Sequence, residues 1–124
     1  MTTPANIFLY VKDPLASADF YTKILDRGPV EASPGFALFE LVPGMMLGLW
    51  ARDGVEPAPE TAPGAAELGF PVADRATVDD LHTAWTAKGL TILQAPVKMD
   101  FGYTFAAADP DGHRLRVYVL EDMG

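Results

Sequence analysis

The sequence predicts an α+β fold of two βαβββ modules, forming a curled, cup-shaped mixed sheet with helices on its outer face. Three observations carry this. Asn6-Ile7-Phe8-Leu9-Tyr10-Val11-Lys12-Asp13 is echoed 61 residues later by Glu67-Leu68-Gly69-Phe70-Pro71-Val72-Ala73-Asp74. Each run ends in an aspartate, then leads into a segment of helical period and three short strand-like segments. In both runs one face is apolar and the other is not. Side chains alternate across a strand. Ile7, Leu9 and Val11 therefore share a face, as do Leu68, Phe70 and Val72. The opposite faces carry Asn6, Phe8 and Tyr10, and Glu67, Gly69 and Pro71. A duplicated module with a second face unlike core suggests a hollow that holds something.

The elements follow in order. A first strand covers roughly 5–12. Asp13-Pro14 supplies an N-cap carboxylate and a proline at the first helical position. Phe20, Tyr21, Ile24 and Leu25 form one stripe, so a helix runs over 14–26, with Gly28 ending it. Strands are expected at 29–33, 36–42 and 45–51, separated by Ser33-Pro34-Gly35 and Pro43-Gly44. Residues 52–64 hold three prolines and two glycines without periodicity, the signature of an extended linker. The pattern restarts with a strand at 66–73 and a second N-cap at Asp74. Val78, Leu81, His82 and Trp85 fall on one helical face, which Gly89 ends. Strands at 91–95, 102–108 and 113–120 follow, the last after the turn Asp109-Pro110-Asp111-Gly112. The 124 residues thus form a single domain, with module 1 at about 4–51 and module 2 at about 65–121.

Composition narrows the function. Nine basic against 17 acidic side chains give a net charge of −8. Nucleic-acid binding needs a basic patch and is not expected. The charge is compatible with a cationic small ligand, although plain solubility is the commoner use of such a balance. No cysteine is present, so disulfides, thiolate catalysis and zinc–sulfur sites are excluded. No signal-peptide pattern and no membrane-crossing apolar run is visible, so a cytoplasmic protein without membrane contacts is expected.

The repeat extends to the strands after the two turn glycines, Gly44 and Gly112. Met46, Gly48 and Trp50 lie opposite the apolar Met45, Leu47 and Leu49. Arg114, Arg116 and Tyr118 lie opposite Leu115, Val117 and Val119. Val11-Lys12-Asp13 followed by Ser17-Ala-Asp-Phe20-Tyr21-Thr-Lys-Ile-Leu25, and Asp109-Pro-Asp-Gly112-His-Arg-Leu-Arg116, resemble the vicinal oxygen chelate superfamily. That superfamily includes glyoxalase I, extradiol dioxygenases and bleomycin-resistance proteins. The resemblance covers nearly the whole chain and implies the cup, often with modules exchanged between two chains of a dimer.

The resemblance also implies a metal site in the enzymes, held by residues that match Asn6, Gly48, Glu67 and Arg116 here. Of these only Glu67 is a good ligand. Asn6 is a poor one, Gly48 offers no side chain, and Arg116 is a permanent cation. The set is degenerate, so neither metal nor other cofactor is expected. Glu67 and Arg116 would converge in the cup, either as a polar anchor for a ligand or as a structural ion pair. Trp50 and Tyr118, with Phe8 and Tyr10, offer planes that stack a flat ligand, or that simply pack the sheet. Met46, Phe101 and Tyr103 extend this surface, with Phe101 in a loop as a possible lid. His82 is read as a packed histidine and His113 as surface-facing, so no Ser-His-Asp arrangement arises.

The reading favoured is a metal-free protein that sequesters an aromatic compound, cationic or zwitterionic and expected to be an antibiotic, as the bleomycin-type resistance proteins that the chain resembles enclose a drug in a dimer cleft. A homodimer is expected. The alternative is a metal-dependent lyase, isomerase or dioxygenase with an atypical set, such as Glu67 with His113, Glu40 or Asp100. A third is a non-catalytic storage or partner protein of a biosynthetic pathway.

Overall fold

The structure, a computed structural model, describes residues 2–121. It contains two compact units that divide between Pro63 and Gly64. Unit 1 runs β1 (Asn6–Val11), α1 (Pro14–Leu25), β2 (Glu31–Ala32), β3 (Phe36–Val42) and β4 (Met45–Ala51). Unit 2 runs β5 (Glu67–Pro71), α2 (Arg75–Ala87), β6 (Thr91–Met99), β7 (Gly102–Ala108) and β8 (Arg114–Leu120). Each is strand–helix–three strands, as the repeat requires. The sheets are four-stranded and mixed, ordered β1-β4-β3-β2 and β5-β8-β7-β6. In each, the opening strand lies parallel to the last one.

The capping aspartates start both helices. Asp13 Oδ1 accepts from the N–H groups of Leu15 and Ala16 at 3.1 and 3.3 Å. Asp74 Oδ1 accepts from Thr77 N–H and Oγ1–H at 2.8 and 2.6 Å. Gly89, at φ +87°, follows the end of α2. The end of α1 differs from expectation. Asp26 takes the left-handed conformation at φ 56° two residues before Gly28, and its N–H donates to Thr22 O. Aspartate is one of the few residues that visits this region readily.

α1 packs on β3 and β4, and α2 on β6, β7 and β8. The apolar strand faces meet them. Val11, Tyr21, Phe39, Leu47 and Leu49 are fully buried in unit 1, and Val78, Phe105, Leu115 and Val117 in unit 2. Each such side chain contributes about 1.5–3 kcal/mol of transfer free energy. Trp85 is buried edge-on between Phe70 and Phe105, with ring centroids 5.5 and 5.4 Å away.

Three further differences have local causes. β2 shrinks to two residues. β6 runs on to Met99 through Pro96, which an edge strand tolerates because one side needs no N–H. The proposed linker is not extended at its start: Arg52–Gly54 form a 3-10 turn, and Val55 behind it is buried. Among the described residues no helix is long and apolar enough to cross a membrane.

Candidate functional site

In unit 1, strand register sets the residues of the face away from α1 into rows. Tyr10, Trp50 and Phe36 pair across β1, β4 and β3. Phe8, Gly48 and Leu38 form the next row, and Asn6, Met46 and Glu40 the third. Four aromatic rings thus share one face. Trp50 meets Tyr10 at 6.2 Å and Phe8 at 6.3 Å, both edge-on, and Phe8 lies 6.3 Å from Phe36. Phe8 is half exposed, while Tyr10, Phe36 and Trp50 are partly covered. The sequence-predicted Phe8, Tyr10, Met46, Gly48 and Trp50 therefore belong together. Phe36 joins them although the sequence does not single it out. Its signal is the alternation of 36–42, which buries Ala37 and Phe39 and turns Phe36 and Leu38 the other way.

Gly48 does not provide empty space. A Cβ there would lie 2.6 Å from Phe8 Cδ1 and 3.0 Å from Phe36 Cζ. Both rings lean over the glycine. In unit 2 the relation is mirrored on the other strand: a Cβ on Gly69 would lie 3.2 Å from Tyr118 Cε1.

The corresponding rows of unit 2 are polar. They are Pro71, Tyr118 and Thr104; Gly69, Arg116 and Ala106; and Glu67, Arg114 and Ala108. Small neighbours leave Arg116 room to lie along the sheet. Its Nε and Nη2 donate to the two oxygens of Glu67 at 2.9 and 3.1 Å. Nη1 donates to Gln94 Oε1 at 3.1 Å and to Thr104 Oγ1 at 3.3 Å. Thr104 in turn donates to Val117 O. The Arg116 hydrogen bond holds the Glu67 carboxyl below its ordinary pKa, helped by the charges of Arg116 and Arg114 against the opposing effect of burial. Phe101, in the β6–β7 turn, sits 6.3 Å from the Tyr118 ring at 81°. An open cleft of about 300 Å3, lined by Gly64–Glu67 and Arg114, borders this face. Its walls are polar, so flat apolar surface lies in unit 1.

Two expectations are corrected. Tyr103 lies on the helix side of β7: its hydroxyl donates to Asp79 Oδ1 at 2.8 Å, and the Arg75 guanidinium stands 4.5 Å over its ring. The register pairs Thr104, not Tyr103, with Tyr118, so Tyr103 does not join Arg116 and Tyr118. His113 is buried rather than surface-facing. Asp109 Oδ1 accepts its N–H and so closes the turn around it. His82 is packed as expected, edge-on to Phe105 at 5.4 Å.

The four positions that match the metal ligands of related enzymes do not fit a metal. Glu67 spends both oxygens on Arg116, a phenylalanine ring covers Gly48, and the guanidinium repels a cation. Among the described residues no three His, Cys, Asp or Glu side chains could together hold a metal ion.

The chain belongs to the glyoxalase/bleomycin resistance protein/dioxygenase superfamily, whose family model matches residues 3–117. It is 32% identical over 122 residues to the phenazine antibiotic resistance protein EhpR of Enterobacter agglomerans, covering 96% of this chain and 93% of that one. A protein of Agrobacterium tumefaciens solved by solution NMR is 52% identical, with a TM-score of 0.88 over 98% of this chain and all of its own. A glyoxalase-related enzyme of Fulvimarina pelagi is 26% identical, with a TM-score of 0.83 over 96% of this chain and 88% of its own.

Proposed function

We propose that this protein binds a planar aromatic antibiotic and withdraws it from solution without altering it. The observation that supports this most is the row Tyr10–Trp50–Phe36 with Phe8 beside it, four rings on a sheet face that no helix of the unit covers. Aromatic planes of this kind hold a flat ligand by stacking and by burying its apolar area. The similarity to a protein named for resistance to a phenazine antibiotic supports the same class, since a phenazine is a flat tricyclic aromatic. Sequestration needs no chemistry. Binding alone lowers free drug by mass action, and it stabilises the native protein by an amount that grows with the logarithm of ligand concentration over Kd.

The test is a titration with phenazine, read by tryptophan fluorescence. Trp50 is expected to be quenched, and Trp50→Ala to weaken binding by roughly 1–3 kcal/mol, the range for losing a buried aromatic contact. Ligand recovered after long incubation should be chemically unchanged. Turnover of the compound, or quenching carried by Trp85 alone, would sink the proposal. The proposed assembly is a homodimer, since each sheet ends in edge strands that favour pairing.

A further inference from the structure

Arg114 opens β8 opposite Glu67, the first residue of β5, in the parallel register of the two strands. Leu115, the next residue, is fully buried on the helix side. Alternation therefore turns Arg114 to the face that carries Glu67 and Arg116. The Glu67 carboxyl feels the Arg114 charge, which agrees with that placement. Arg114 is exposed, and its guanidinium makes no hydrogen bond or ion pair among the described residues. Arg114 lines the open cleft of about 300 Å3 together with Gly64, Ala65, Ala66 and Glu67.

The other lining residues keep the cleft open. Ala65 and Ala66 are exposed and carry nothing longer than a methyl group. Their segment is held against the start of β8. Ala66 O accepts from Arg114 N–H at 2.8 Å, and Gly64, at φ +124°, packs so closely that a Cβ would lie 3.4 Å from Gly112 O. Glu67 contributes a carboxylate, but Arg116 binds both of its oxygens and balances its charge. The charge left over beside the cleft is that of Arg114. An anion that the net charge of −8 repels at long range thus meets a local, solvent-exposed cation here.

We propose that this cleft binds a small organic carboxylate, held by the Arg114 guanidinium. The planar fork of arginine matches a carboxylate, with its N–H groups donating to both oxygens. A doubly charged phosphate suits the cleft less well, because Glu67 stands in the same wall. The inference goes beyond the aromatic-ligand reading and does not depend on it.

The experiment follows the backbone amide signals of isotope-labelled protein at neutral pH and constant ionic strength. The probes are propionate, its neutral amide propionamide, and inorganic phosphate. Propionate is expected to move the signals of Gly64, Ala65, Ala66 and Glu67 saturably, with a Kd on the order of millimolar. Propionamide should leave them in place, and phosphate should bind more weakly than propionate. Arg114→Gln should weaken propionate by about tenfold or more, the scale of one charge-assisted hydrogen bond, and Arg114→Lys should keep part of the affinity. Because the side chain is exposed, both variants should otherwise keep the wild-type spectrum. No saturable movement with propionate, an equal response to propionamide, or an unchanged affinity in Arg114→Gln would overturn the proposal. Tighter binding of phosphate than of propionate would overturn the assignment to carboxylates. The comparison of propionate with propionamide needs no variant, so a misfolded one would not shield the proposal. None of these results bears on the quenching of Trp50 by phenazine, which tests the aromatic reading alone.

Discussion

At Gly48 the side chain that glycine lacks is replaced by its neighbours' rings. Phe8 and Phe36 close over the backbone, and Trp50 stands one row away. A methyl group there must displace Phe8, whose half-exposed ring is free to swing outward. Gly48→Ala is therefore expected to cost only about 1 kcal/mol, the low end of overpacking. It should also shift the emission of Trp50, which touches Phe8. Unchanged emission would mean that the rings do not lie as described. The two tryptophans should part company in the same assay. Trp85→Ala removes a buried side chain and should cost about 3–5 kcal/mol in urea unfolding. Trp50→Ala leaves partly exposed neighbours and should cost clearly less; equal losses would place Trp50 in the core. The members of this face on β1 and β4 are legible in the sequence, because the repeat and the period of two fix which side chains oppose Leu9, Leu47 and Leu49. Phe36 is less legible, since its strand begins straight after a turn and shows only a short alternation. Tyr103 is misread for a sharper reason. Its face depends on whether residue 103 or 104 pairs with Tyr118, and a slip of one residue reverses every side chain.

Among the elements, the end of β8 is tied to α2 and β6 by charge. Glu121 accepts from Arg75 Nε and Nη2 at 2.6 and 2.8 Å, and from Lys98 Nζ at 3.1 Å. The Arg75 hydrogen bonds, with those of Lys98, pull its carboxyl from 4.5 down to about 2. A carboxyl depressed in the folded state stabilises the fold above its unfolded pKa and loses that contribution as pH falls to the folded one. The clamp should therefore be intact above pH 4.5 and be lost between 4.5 and about 2. The melting difference between wild type and Glu121→Gln should shrink across that window, and more salt should shrink it at neutral pH. A difference that persists at pH 2 would remove the ion pairs as its cause. The turn into β7 is less forgiving. Gly102 has φ +153°, and a Cβ would run into the carbonyl oxygen of Val119, which is backbone and cannot swing aside. Gly102→Ala should cost roughly 3 kcal/mol or more, whereas the same change at a strand glycine that tolerates a side chain stabilises by about 0.4–1 kcal/mol. Calorimetry showing a melting temperature within a degree or two of wild type would refute this. Helix starts were fully legible, since an aspartate before the apolar stripe has one strong use. The length of β6 was not, because Pro96 reads as a stop unless the strand is known to lie at an edge.

For the whole chain, family membership and chemistry separate. The superfamily contains enzymes and resistance proteins on one architecture, so the donors decide the chemistry. The 61-residue repeat makes the two modules legible, and with them the positions that a metal would use. None of the four offers a free donor suited to a metal. Asn6 is a weak ligand, Gly48 has none, Arg116 carries the wrong charge, and Glu67 is held by Arg116. The ion pair occupies the place in the unit 2 face from which Glu67 would reach a cation, and extracting the carboxylate would leave Arg116 partly buried and unpaired. Breaking one side of such a pair is costly. Light scattering should find a dimer at micromolar concentration, and a monomer there would count against the proposed assembly. Metal analysis of the same preparation should find no stoichiometric transition metal. Chelator should leave the melting temperature unchanged, since a metal bound only to the native state would raise it with saturation. One tightly bound metal per chain, lost together with stability in Glu67→Gln, would show that Arg116 yields its partner to a cation. The protein would then stand with the enzymes of its superfamily rather than with the resistance proteins.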